Sequence, residues 1–160
     1  MRISIAAIGR LKRGPEQDLF DRYIERFRKT GPQTGLDWRA LCEFPESRSG
    51  DAEARKAEEA ARLKATLDEG AVLVTLDERG KTLSSEEFAR ALATWRDAGI
   101  RDCSLLIGGP DGHDAELRRS ADLALSLGRL TFPHQIARVL LAEQLYRAVT
   151  ILTGHPYHRV

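Results

Sequence analysis

Two short apolar runs constrain this chain more than any other feature. Ala71–Leu76 (AVLVTL) and Cys103–Ile107 (CSLLI) carry no charge, and an uninterrupted run of that length marks a strand covered on both faces. Helical patterns separate such runs along the whole chain. Arg2–Ile8 predicts a first strand; Pro15 then opens a helix with Leu19, Phe20, Tyr23, Ile24 and Phe27 on one face, which Gly31-Pro32 ends. Leu36–Phe44, bracketed by Gly35 and Pro45, predicts a second strand, and Asp51–Glu69 a helix with a thin apolar edge of Ala60, Leu63 and Leu67. Asp77–Lys81 predicts a turn. Ser84 with Glu87 predicts a capping box before a helix that buries Phe88, Ala91, Leu92 and Trp95 and runs to Gly99. Gly108-Gly109-Pro110-Asp111-Gly112 predicts a loop, Ala115–Leu123 a helix, Leu125–Phe132 a short apolar segment, and Gln135 to about Leu152 a long final helix. This alternation specifies an α/β fold, a mainly parallel sheet with helices on both faces. The 160 residues fit a single domain, with no repeat or linker.

Charge narrows the partners. The formal net charge is +1, which argues against a broad basic surface wrapped around a duplex. The average hides a split: residues 1–125 hold 21 basic and 23 acidic side chains, whereas residues 126–160 hold Arg129, Arg138, Arg147 and Arg159 against Glu143 alone. No stretch is apolar for the roughly 18 residues that a membrane helix needs, and the first strand lacks the flanks of a signal peptide. Cys42 and Cys103 imply no disulfide framework, so a cytoplasmic setting is expected.

Ligands of a parallel sheet bind where loops leave the carboxyl ends of its strands. Three exits matter here: Leu76-Asp77, Gly108–Gly112 and Leu127–Phe132. Neither a P-loop nor a G-x-G-x-x-G fingerprint is present, which leaves room for a nucleoside cofactor without a phosphate chain. The final helix places Glu143 and Arg147 at i,i+4, with Gln144 and Arg138 near them; on any isolated helix this is an ordinary ion pair. The tail Gly154-His155-Pro156-Tyr157-His158-Arg159-Val160 concentrates groups that stack on bases and bind phosphate. Its two histidines have no Cys or carboxylate beside them, so no metal site is expected. Cys103, opening a buried strand, reads as a small hydrophobe rather than a nucleophile.

Taken together, Leu105–Gly112, Leu125–Leu127, Leu130–Gln135, Ala142–Ala148 and His155–Arg159 resemble the RlmH family of SPOUT methyltransferases, densely from Val74 to Arg159 and more weakly before it. The resemblance implies transfer of a methyl group from S-adenosyl-L-methionine to N3 of a pseudouridine in 23S ribosomal RNA. It also implies a C-terminal trefoil knot within roughly residues 71–160, a homodimer in which one tail helps complete the other subunit's site, and action on the ribosome. By the same match, Leu76, Gly108, Gly109, Leu127, Gly128, Arg129, Leu130, Thr131 and Phe132 are expected to hold the cofactor. Gly128, Phe132 and His113 depart from the residues common in the family at those places.

The acceptor nitrogen is an imide that must lose its proton as it attacks, so a cation beside its carbonyls and a nearby proton acceptor are needed. Arg147 or Arg159 is expected to supply the cation; Glu143, Tyr157 and His158 are the candidate acceptors. Arg138 and Arg129 are expected to contact phosphate. Two competing readings are a catalytically inactive ribosome-associated RNA-binding protein and a SPOUT enzyme acting on tRNA or a ribose 2′-hydroxyl.

Overall fold

The computed structural model describes residues 1–158. Strands β1 (Arg2–Ile8), β2 (Asp37–Phe44), β3 (Val72–Thr82), β4 (Asp102–Ile107) and β5 (Leu123–Ser126) form one sheet in the order β2-β1-β4-β3-β5, every pairing parallel. Helices α1 (Pro15–Thr30), α3 (Ser85–Asp97) and α5 (His134–Thr153) cover one face, and α2 (Ala52–Lys64) and α4 (Ala115–Ser120) the other. The period-two alternation of β1 serves both layers: Ile3, Ile5 and Ala7 pack with α1, α3 and α5, while Ala6 and Ile8 pack with α2 and α4. The capping box forms as the sequence predicts. Ser84 Oγ accepts from the Glu87 amide at 3.2 Å, and the Ser84 amide donates to Glu87 Oε2 at 2.7 Å.

Three expectations need correction. Asp77–Lys81 does not turn the chain: β3 continues to Thr82, and Leu125 of β5 pairs with both Leu76 and Lys81, so the residues between them bulge outward from the ladder. Gly80 makes this possible, since a Cβ there would lie 2.5 Å from the Ala124 carbonyl oxygen. The helix after Ala115 stops at Ser120 rather than Leu123, because Asp122 is captured by β3. Its amide donates to the Leu73 carbonyl at 2.9 Å, its carboxylate accepts from the Leu73 amide at 2.8 Å, and Leu123–Ser126 continues as the edge strand.

Arg138 is the third. It is no surface phosphate contact but the largest fully buried side chain, 1% exposed. One guanidinium nitrogen donates at 2.8 Å to each of the Ile8 and Gly9 carbonyls, and another pairs with Glu43, which also accepts from the Leu11 amide at 2.7 Å. Burial lowers its pKa, and the Glu43 charge opposes that fall. Arg138 thus ties α5 to the ends of β1 and β2. We expect Arg138→Met to cost about 3 kcal/mol in chemical denaturation, because Glu43 and two carbonyls lose a charged donor that no methionine replaces.

Candidate cofactor site and a separate polar cluster

Register brings the strand ends together. Ile8 pairs with Phe44 and Ala7 with Ile107, so the loops after β1, β2 and β4 leave along one edge, and the β3 bulge and β5 exit join them. At the β4, β3 and β5 exits lies an open cavity of about 420 Å³, within the usual range for a small-ligand site. Leu76, Ile107, Leu125 and Leu127 give it apolar walls; Gly108, Gly109 and Gly112 give it bare main chain. Gly128, Leu130, Thr131 and Phe132 close it from the β5 side. Of the nine residues expected to hold a cofactor, eight therefore line one cavity. Arg129 points to solvent and is not among its lining residues.

The glycine loop is braced from α2. The Glu59 carboxylate, buried, accepts from the Ser47 amide at 2.8 Å and lies under Gly109, where a Cβ would come within 2.5 Å of it. Arg55 grips Asp111 through two nitrogens, at 2.7 and 3.3 Å, and this pairing holds the Asp111 carboxyl below its ordinary pKa. Lys56, Ser126, His113 and His134 also line the cavity or stand at its rim. Sequence reasoning tied neither Lys56, Ser126 nor His134 to the cofactor. His134 follows Pro133 at the start of α5 and was in plain view, whereas no local pattern reports that α2 reaches the loop after β4.

This cavity fits an adenosine-bearing cofactor. Among the described residues the main-chain groups of Leu130, Thr131 and Phe132 form no hydrogen bond with the protein, which leaves donors and acceptors in the cavity lining free for a heterocycle edge. Leu130 is 74% exposed, the one large hydrophobic side chain so open among the described residues, as expected of a residue waiting for an apolar partner.

The polar groups of the final helix and tail form a second cluster. Glu143 Oε1 accepts from Arg147 at 2.9 and 2.6 Å and from the Tyr157 hydroxyl at 3.0 Å, while Gln144 donates to Oε2 at 2.7 Å. Arg147 stacks over the Tyr157 ring at 4.9 Å, and Tyr157 packs on Tyr146 at 4.7 Å between ring centres. Burial, the neighbouring Tyr23 hydroxyl and the Glu143 charge together raise the Tyr157 pKa well above that of a free phenol. His158 stands apart from Glu143, its Nε2 2.8 Å from Glu86 Oε1 on α3 but poorly aligned for a hydrogen bond. Arg159 lies outside the described residues. None of Glu143, Arg147, Tyr157 and His158 lines the cavity; from Ala137, which does, to Arg147 is about 15 Å along α5.

A family model described as "Predicted SPOUT methyltransferase" matches residues 1–158. The chain belongs to the SPOUT methyltransferase family. Within it, the chain is 60% identical over 159 residues to the Ribosomal RNA large subunit methyltransferase H of Brucella anthropi, and 58% identical to that of Sinorhizobium medicae. Each alignment covers 99% of both chains. Among solved structures, the SpoU methyltransferase AviRb from Streptomyces viridochromogenes, in complex with the cofactor AdoMet, aligns at TM-score 0.42 and 16% identity over 96% of this chain and 61% of that one.

Two outcomes follow for this SPOUT cavity. Gly109→Ala should weaken S-adenosylmethionine binding at least about tenfold in calorimetry while leaving the fold intact, since the added methyl must push the loop off Glu59. His113 is buried, with Nε2 3.3 Å from the Leu106 carbonyl, and desolvation lowers its pKa below the ordinary 6.5. Below pH 6.5 the unfolded chain therefore takes up a proton that the native state refuses, so stability falls with pH by up to about 1.4 kcal/mol per unit until the depressed native pKa is reached. His113→Leu should remove that part of the slope when denaturation midpoints are compared near pH 7.5 and 5.5.

Proposed function

We propose that this protein transfers a methyl group from S-adenosylmethionine to N3 of a pseudouridine in 23S ribosomal RNA, acting on the ribosome in the cytoplasm. The supporting observation is a glycine-floored cavity with unpartnered main chain at Leu130–Phe132, in a chain that aligns end to end with ribosomal RNA large subunit methyltransferases H. Threading of the β5–α5 region into the family's trefoil knot belongs to the same reading. The cofactor supplies an electrophilic methyl group on a sulfonium. The chain must place the acceptor nitrogen in line with it, exclude water, and take the imide proton as the new N–C bond forms and the methyl's bond to sulfur breaks, the thioether S-adenosylhomocysteine being the leaving group.

The groups that can do this lie in the second cluster, about 15 Å along α5 from the cavity. A homodimer that sets one subunit's cluster against the partner's cavity brings the two together. Arg147, held by Glu143, is the cation for the developing charge on the base, and Arg159 of the tail is the second candidate for that role. Tyr157 keeps its proton, because its raised pKa leaves it a phenol at neutral pH, and it donates to Glu143. The Glu143 oxygens are taken up by four donors, so this carboxylate positions Arg147 and Tyr157. His158, whose Nδ1 forms no hydrogen bond among the described residues and whose Nε2 lies 2.8 Å from the Glu86 carboxylate, is the proton acceptor.

Mass spectrometry of 23S ribosomal RNA from a strain lacking the protein should show the loss of one methylated pseudouridine, restored by the wild-type chain. An unchanged modification pattern would sink the reading. Arg147→Ala should lower methylation by about 10²-fold or more while S-adenosylmethionine binding stays within about twofold, since Arg147 faces the base rather than the cofactor.

A further inference from the structure

The loop after β1 carries positive charge that the site described above does not use. Arg10, Lys12 and Arg13 are exposed, no acidic residue lies between Gly9 and Pro15, and among the described residues none of the three forms an ion pair. Glu43 is bound by Arg138 and the Leu11 amide; Glu16 and Glu46 come close to the ends of the loop, at Gly14 and Gly9, and among the described residues neither pairs with its cations.

The base of this loop is fixed. Arg138 donates to the Ile8 and Gly9 carbonyls, and Glu43 holds the Leu11 amide, so the segment leaves the sheet in a set direction. That direction matters because Ala137, the neighbour of Arg138 on α5, lines the cofactor cavity, as does Ile107, the β4 partner of Ala7. The β1 exit is therefore about one strand spacing, roughly 4.8 Å, from the cavity wall. Arg129 stands exposed on the β5 side of the same cavity.

We infer that Arg10, Lys12 and Arg13 form a phosphate-binding surface that holds the RNA backbone beside the target nucleotide, with Arg129 as its counterpart across the cavity. The loop has no aromatic side chain to stack on a base, and its long flexible cations suit phosphate oxygens, which fix position without reading sequence. The identity of the RNA rests on the function proposed above; the surface itself rests on charge and position.

The test compares the wild type with the triple variant Arg10→Ala, Lys12→Ala, Arg13→Ala and with the charge-keeping triple Arg10→Lys, Lys12→Arg, Arg13→Lys. Binding to a 23S ribosomal RNA fragment is measured by filter retention across salt concentrations, and S-adenosylmethionine binding by calorimetry. The alanine triple should bind RNA at least about tenfold more weakly near 0.1 M salt, with a log–log salt slope shallower by about 2. In methylation assays its KM for RNA should rise with kcat nearly unchanged. The charge-keeping triple should behave as the wild type. An unchanged salt slope in the alanine triple, or an equal loss in the charge-keeping triple, overturns the surface, as does a parallel loss of cofactor binding. A wild type that binds RNA with the steep slope yet adds no methyl group would overturn the proposed function and leave the phosphate surface standing.

Discussion

A single buried guanidinium decides where the functional parts of this molecule sit. Burying Arg138 is costly, and the cost is met only because three acceptors converge on it: the Ile8 and Gly9 carbonyls and the Glu43 carboxylate. Those acceptors belong to the ends of β1 and β2, while Arg138 belongs to α5. The same few ångströms thus fix the start of a helix that borders the cofactor cavity at Ala137 and carries Glu143 and Arg147 further along. A hydrophobic residue of similar size would pack there, but it would leave two carbonyls without donors and α5 without a fixed register against the sheet edge. The apolar surface of α5, buried nearly all round against α1 and α3, supplies adhesion; Arg138 supplies the address.

The other side of the cavity is held by different means. The Gly108–Gly112 loop has little side chain of its own to anchor it, so α2 reaches across with Arg55 on Asp111 and Glu59 beneath Gly109. Glu59 is in turn fixed by the Ser47 amide, and Glu58 accepts from Ser47 and Ser49, which folds the polar 45–50 segment back onto the helix. The cavity is therefore shaped by a rigid peg on the α5 side and by a carboxylate network on the α2 side. Between them, Leu130–Phe132 keeps open main-chain groups, the arrangement expected where a ligand completes the hydrogen bonding.

Much of this was legible in the chain. The apolar runs and helical periods report strands and helices directly, and the helix after Ser84 begins where its capping box places it. The strand-exit rule pointed to three exits that open onto one cavity, because parallel register forces neighbouring exits onto one edge, and eight of the nine residues that the resemblance assigned to the cofactor line it. What failed was whatever depends on partners distant in sequence. Asp77–Lys81 looks like a turn until β5 arrives to pair on both sides of it, and Leu123 looks like the end of a helix until Asp122 is seen bonded to Leu73. Arg138 looks like a surface cation because nothing within α5 reveals Glu43, 95 residues earlier. The contribution of α2 to the glycine loop was hidden for the same reason.

Charge is where the structure changes the argument most. Counting residues placed the positive excess in the last 35 positions, yet one of those four arginines is buried as a structural peg and a second is neutralised by Glu143. Beside the cavity, free cations are instead drawn from two distant parts of the chain, Arg10, Lys12 and Arg13 from one and Arg129 from the other, and the sheet order sets them on either side of it. A near-neutral total is then no obstacle to RNA recognition, because only the potential at the sheet's carboxyl edge acts on the substrate within a Debye length of about 10 Å. Elsewhere several acidic and basic side chains pair off, as Lys29 does with Glu25 on α1 and Arg39 of β2 with Asp68, and such exposed pairs contribute little that an approaching RNA would feel. Such a surface binds generic RNA weakly and holds a shaped target well, since the few phosphates it meets must be presented together with a base that enters the cavity.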